Sequence, residues 1–131
     1  MRKSVNKITE ERQIELIQED WRYIKKIKNP SEKVQVEAVK MNPKAILYIK
    51  SPTEAVQIEV LRRSIDYIFV IENPTEKVKL EAIKLSPMTI SVIKNLSEKS
   101  QLEAVKQNKY LINFIKDPCD KIKVLKKIME I

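Results

Sequence analysis

Apolar side chains recur along this chain at the same places of a unit 22 residues long. Val34, Val36, Ala38 and Val39 answer to Val56, Ile58, Val60 and Leu61, then to Val78, Leu80, Ala82 and Ile83. At 100° per residue these places cover an arc of roughly 200°, wider than the stripe of an ordinary surface helix. The pattern predicts helices of about three turns, each flanked by neighbours on both sides, as happens when repeats stack. The rest of the wheel is charged, with Lys33, Glu37 and Lys40, then Lys77, Glu81 and Lys84, then Lys99, Glu103 and Lys106. Residues three or four apart on a helix form weak ion pairs of roughly 0.2 to 0.5 kcal/mol.

A shorter segment follows each of these helices. Its fixed apolar places are Ile24, Ile46, Ile68, Ile90 and Ile112, each followed three residues later by Ile27, Ile49, Ile71, Ile93 and Ile115. That spacing lays one ridge of isoleucine against the longer helices. The short segments open at Asp20, Asn42, Ser64, Ser86 and Asn108, which can end one helix and cap the next, with Pro43 and Pro87 just inside.

The longer helices are announced by Asn29-Pro30-Ser31-Glu32, Ser51-Pro52-Thr53-Glu54, Asn73-Pro74-Thr75-Glu76, Asn95-Leu96-Ser97-Glu98 and Asp117-Pro118-Cys119-Asp120. Each opening reads as an N-cap, in four cases a proline at the first helical position, and an acidic residue three places on that completes a capping box. The expected fold is an all-α, right-handed α-solenoid of stacked helical hairpins, each too small to bury a core alone. One domain, 1–131, comprises a degenerate first repeat at 5–26, repeats at 27–48, 49–70, 71–92 and 93–114, and a C-terminal capping helix at 115–131. In the first repeat Arg12 stands where Val34 stands later, and Lys123, Lys126 and Lys127 make the last helix polar, as terminal repeats require.

Composition narrows the chemistry. Glycine and histidine are absent and aromatic residues make up 5% of the chain, so glycine-rich phosphate loops, the usual zinc sites, catalytic triads and imidazole acid–base catalysis have no residues to build them. No cofactor, metal site or catalytic residue is expected, and the chain reads as no enzyme. The N-terminus has no apolar core of a signal peptide, no run reaches membrane-spanning length, and Cys119 is the single cysteine. A cytoplasmic protein with no membrane partner is the expectation.

The units resemble the 22-residue helical repeats of the DUF4116 family. The resemblance rests on the Asn-Pro-Ser-Glu turn, the Val-Gln-x-x-Ala-Val helix and the second turn at Asn42, which match residues 29 to 42 closely. It covers nearly the whole chain, and a looser similarity extends to HEAT-like solenoids. The resemblance implies a helical-repeat fold found in bacterial and phage proteins and carries no catalytic residue. This chain departs from the pattern after the second-turn Asn, where Pro43, Ile65, Pro87 and Lys109 stand in place of a frequent glycine.

Gln13, Gln35, Gln57 and Gln101, with Lys79 at the equivalent place, lie in the middle of the apolar arc. Buried amides usually satisfy nearby backbone groups. One glutamate per repeat at Glu15, Glu37, Glu59, Glu81 and Glu103 reads as a solvated ladder rather than paired catalytic acids. The net charge of +8 brings nucleic acid or a phosphorylated ligand into view as the alternative, yet lysines alternate with glutamates throughout.

Repeats hold their stack together with shared positions and are free to recognise partners with variable ones. One variable row on the short segments is Arg22, Lys44, Asp66, Met88 and Tyr110, and another is Lys25, Leu47, Phe69, Ser91 and Asn113. Trp21, Tyr67 and the basic pair Arg62-Arg63 complete the candidate partner-binding set, because large aromatics and arginine dominate interface energetics. The resulting expectation is a non-enzymatic protein-binding module, a regulator, inhibitor or adaptor, of which a phage-type inhibitor of a host system is one concrete version. The sequence leaves the oligomeric state open.

Overall fold

A computed structural model describes residues 5–130. The remaining residues of the expected domain 1–131, four at the N-terminus and Ile131, lie outside the described residues. Six α-helices of ten residues begin 22 residues apart: α1 (Glu10–Glu19), α2 (Glu32–Met41), α3 (Glu54–Arg63), α4 (Glu76–Leu85), α5 (Glu98–Gln107) and α6 (Asp120–Met129). No strand occurs among the described residues, and no helix among them is long and apolar enough to cross a membrane.

The short segments are 3₁₀ helices: η1 (Val5–Lys7), η2 (Trp21–Lys26), η3 (Pro43–Tyr48), η4 (Ile65–Phe69), η5 (Pro87–Ser91) and η6 (Lys109–Asn113). Ile24 and Ile90 lie within these helices, Ile27 and Ile93 just beyond their C-terminal ends, and all four are buried. The side chains of Asp20, Asn42 and Asn108 cap these segments by accepting from the N–H of Arg22, Lys44 and Tyr110, whereas Ser64 and Ser86 make no such bond. Pro43 and Pro87 open η3 and η5 as expected.

The start of each α-helix differs from the sequence reading. The N-cap is the third residue of each opening, not the first: Val34, Val56, Val78 and Ser100 donate their N–H to the hydroxyls of Ser31, Thr53, Thr75 and Ser97 at 3.1 to 3.3 Å. The prolines therefore precede the cap, and the glutamates occupy the first helical position, where they face the positive helix end but form no capping box. Asn29, Asn73 and Asn95 instead take left-handed backbone conformations with φ of 48°, 47° and 56°. Asparagine tolerates this region better than other residues with a Cβ. Cys119 takes the N-cap position of α6 without a side-chain bond.

Backbone contacts divide the chain into two compact units, Met1–Glu72 and Asn73–Ile131. In the first, α1, α2 and α3 pack in sequence, and η2 and η3 lie against one another and against α2. In the second, α4, α5 and α6 pack in sequence, with η5 beside η6. Val34, Ala38 and Val39 are wholly buried in the first unit, as are Val78 and Ala82 in the second, so most of the predicted apolar arc is core, while Val36 and Leu80 at its edge are half-buried.

The recurrent glutamine ties successive openings together. Gln35 donates from Nε2 to the Pro30 carbonyl at 2.9 Å and accepts the Thr53 N–H on Oε1 at 3.2 Å. Gln101 does the same with the carbonyls of Leu96 and Asp117 and the N–H of Cys119 at 2.8 Å. Lys79 substitutes by donating to the Asn95 carbonyl at 2.9 Å while pairing with Glu76 at 3.3 Å. The reading of these residues as internal backbone partners holds for Gln35, Gln57 and Gln101.

Candidate partner-binding face

The 3₁₀ helices present two surface rows beside isoleucines that are buried in all but η4, where Ile68 is half-buried. In the first unit Arg22, Lys25, Lys44, Leu47, Asp66 and Phe69 are exposed, and Trp21 and Tyr67 are half-buried. In the second, Met88, Tyr110 and Asn113 are exposed, and Ser91 is half-buried with its hydroxyl donating to the Met88 carbonyl at 2.8 Å. Phe69 and Tyr110 retain 70% and 73% of their surface, which separates them from any core role.

Arg62 and Arg63 stand apart from these rows. They are the last two residues of α3, and Arg63 bonds to Glu59 one turn earlier at 3.3 Å. An ion pair within the helix explains Arg63 without a partner.

The structure adds a row that the sequence reading did not select. Tyr48, Val70, Val92 and Phe114, at the place of Lys26, are all exposed. The signal available was an apolar side chain in four repeats out of five, at a place outside the isoleucine ridge. In the first unit, Tyr48 joins two predicted residues into one patch. Its ring lies 6.3 Å from that of Trp21 at 40°, and the Lys25 ammonium sits 4.3 Å from its centroid. Such a cation–π contact keeps both side chains in place at the surface.

A cleft of about 520 Å³ opens next to this patch, lined by Ile27, Lys28, Asn29, Tyr48, Lys50 and Ser51 among others. The left-handed turn at Asn29 forms one of its sides. Tyr48 thus belongs both to the aromatic patch and to the cleft wall.

At this face the guanidinium of Arg22 is satisfied internally. Arg22 donates to both carboxylate oxygens of Asp20 at 2.8 to 3.2 Å. Those hydrogen bonds hold the Asp20 carboxyl below its usual value and raise the Arg22 guanidinium above its own. On the α-helices Lys84 pairs with Glu81 and Lys121 with Glu98. Among the described residues no group of three or more His, Cys, Asp or Glu could hold a metal ion. Cys119 is half-buried, and its N–H is engaged by Gln101. Compared with protein-family models, curated proteins and solved structures, the chain matches none.

Proposed function

We propose that the chain is a non-enzymatic protein-binding module of the DUF4116-like repeat type, wound as a right-handed α-solenoid, that works in the cytoplasm as a regulator, inhibitor or adaptor. A phage-type inhibitor of a host system is the concrete form the resemblance suggests. The unbroken 22-residue register of helix starts supports the repeat reading. The observation that carries the functional reading is the exposure of large apolar side chains on the 3₁₀ helices and their C-terminal caps, above all Leu47, Tyr48 and Phe69 in one unit and Met88, Tyr110 and Phe114 in the other. Monomeric proteins leave single apolar residues exposed without consequence, but contiguous rows of them mark interaction surfaces. Lysines alternate with glutamates along the α-helices, and no block of basic residues dominates one segment, which places the nucleic-acid reading second.

The test is affinity capture from host lysate with nuclease treatment and washes at low and high salt. A discrete protein retained through both, and lost with Phe69→Ala or Tyr110→Ala but not with Lys33→Ala, supports the reading. Far-UV circular dichroism must show unchanged helicity in each variant. Recovery of nucleic acid, or release of every bound protein by nuclease, would replace it with the polyanion alternative.

A further inference from the structure

The last helix breaks the repeat at its surface. Where α2 to α5 carry Lys40, Arg62, Lys84 and Lys106, α6 carries Ile128, and where they carry Glu37, Glu59, Glu81 and Glu103 it carries Leu125. Val124, Ile128 and Met129 are left 56%, 60% and 51% exposed. A shallow cleft of about 420 Å³ beside them is lined by Leu102, Asp120, Lys121, Val124 and Leu125. Around this apolar strip α6 holds four lysines against one aspartate.

The opposite composition lies on α1, with four glutamates against one arginine. Glu11, Glu15 and Glu19 are exposed, with Arg12 offsetting the last two at 2.8 and 4.0 Å, and Leu16 is only half-buried at the place where Ala38, Val60, Ala82 and Ala104 are covered. We propose that the exposed face of α6 takes the acidic face of α1 of a second copy of this chain, Val124 and Ile128 meeting Leu16 while Lys123 and Lys127 meet Glu15 and Glu19. Within the fold, successive α-helices already meet through such a contact: Lys121 of α6 bonds to Glu98 of α5 at 2.9 Å. The contact is heterologous, so assembly continues beyond the dimer as concentration rises. A ten-residue helix is about 15 Å long and about 10 Å wide, far short of the roughly 800 Å² per partner of a standard interface. Association is therefore weak and salt-dependent.

Sedimentation velocity of the full chain, from micromolar to near-millimolar concentration in low and high salt, tests this independently of any binding at the 3₁₀ rows. The expected result is a mass-average that climbs with concentration and falls with added salt. Lys123→Glu with Lys127→Glu, or Glu15→Lys with Glu19→Lys, should each weaken association roughly tenfold or more by placing like charges together. Mixing the two variants should restore it, because their faces are again opposite in sign. Circular dichroism confirms that each variant is folded. A monomer at every concentration overturns the proposal. So does association indifferent to the α1 substitutions, which would place α6 against α6.

Discussion

Two residues in each opening compete for the same task, and the backbone decides between them. Asn73 and Thr75 both have side-chain oxygens suited to capping α4, but Thr75 accepts the Val78 N–H while Asn73 turns the chain at φ 47°. Thr75→Ala should therefore cost about 0.5 to 2 kcal/mol in urea unfolding. Asn73→Gly should leave stability unchanged or raise it, and Asn73→Ala should lower it by up to roughly 1 kcal/mol, because alanine lacks the short polar side chain that eases asparagine into the left-handed region. Equal losses for Gly and Ala at position 73 would mean that its side chain, not its φ, matters. The spacing of 22 and the identity of the capping residues were legible in the sequence; their roles within the opening were not. Asn-Pro-Thr-Glu satisfies the rules for a cap at either polar residue, and only the left-handed backbone at Asn73 selects one.

The buried amides give a second contrast at this scale. Gln101 makes three hydrogen bonds to the backbone, so Gln101→Leu should cost roughly 1 to 3 kcal/mol through the groups it strands. Gln57 bonds only through Nε2 to the Pro52 carbonyl, and its Oε1 is buried with no hydrogen-bond partner among the described residues. Gln57→Leu should be distinctly milder, because it removes an unsatisfied acceptor along with a single bond. A loss at position 57 as large as that at 101 would show that the two amides are equivalent in solution.

At the scale of elements, the 3₁₀ helices divide labour between neighbouring residues. Ile46 is buried and Leu47, next to it on η3, keeps most of its surface. Ile46→Ala should cost about 2 to 5 kcal/mol, while Leu47→Ala should fall within about 0.5 kcal/mol of the parent. A destabilising Leu47→Ala would assign that side chain to the core and remove it from the candidate face. The isoleucine ridge was readable because a spacing of three places residues together in either kind of helix. That same ambiguity hid the helix type and where each short helix stops, and with it the row of Tyr48, Val70, Val92 and Phe114, three of which are C-terminal caps.

For the molecule as a whole, the ionisable groups predict how stability responds to pH. There is no histidine, so no imidazole changes charge between about pH 5 and 8, and stability should be nearly flat across that interval. Below it, Asp20 and Glu76 govern the slope. Asp20 is held below its usual value by hydrogen bonds from Arg22. Burial of Glu76 opposes its ionisation, but the hydroxyls of Ser100 and Ser97, the Ser97 N–H and the Lys79 ammonium together outweigh it and lower its pKa as well. A carboxyl whose pKa is depressed on folding contributes stability that is present above its unfolded pKa of roughly 4 and is lost as pH falls through the lower folded value. Asp20 is partly exposed, so its share is screened by solvent. Glu76 joins α4 to the start of α5 and should contribute the larger part. Urea midpoints measured from pH 8 to pH 2 should hold a plateau to about pH 5 and then decline. Glu76→Gln should lower the plateau and make the decline shallower, the two curves converging once Glu76 is protonated in the parent. A constant gap between them at all pH values would mean that the Glu76 side chain acts by its shape and hydrogen bonds alone, and that its charge does not stabilise the junction of α4 with α5.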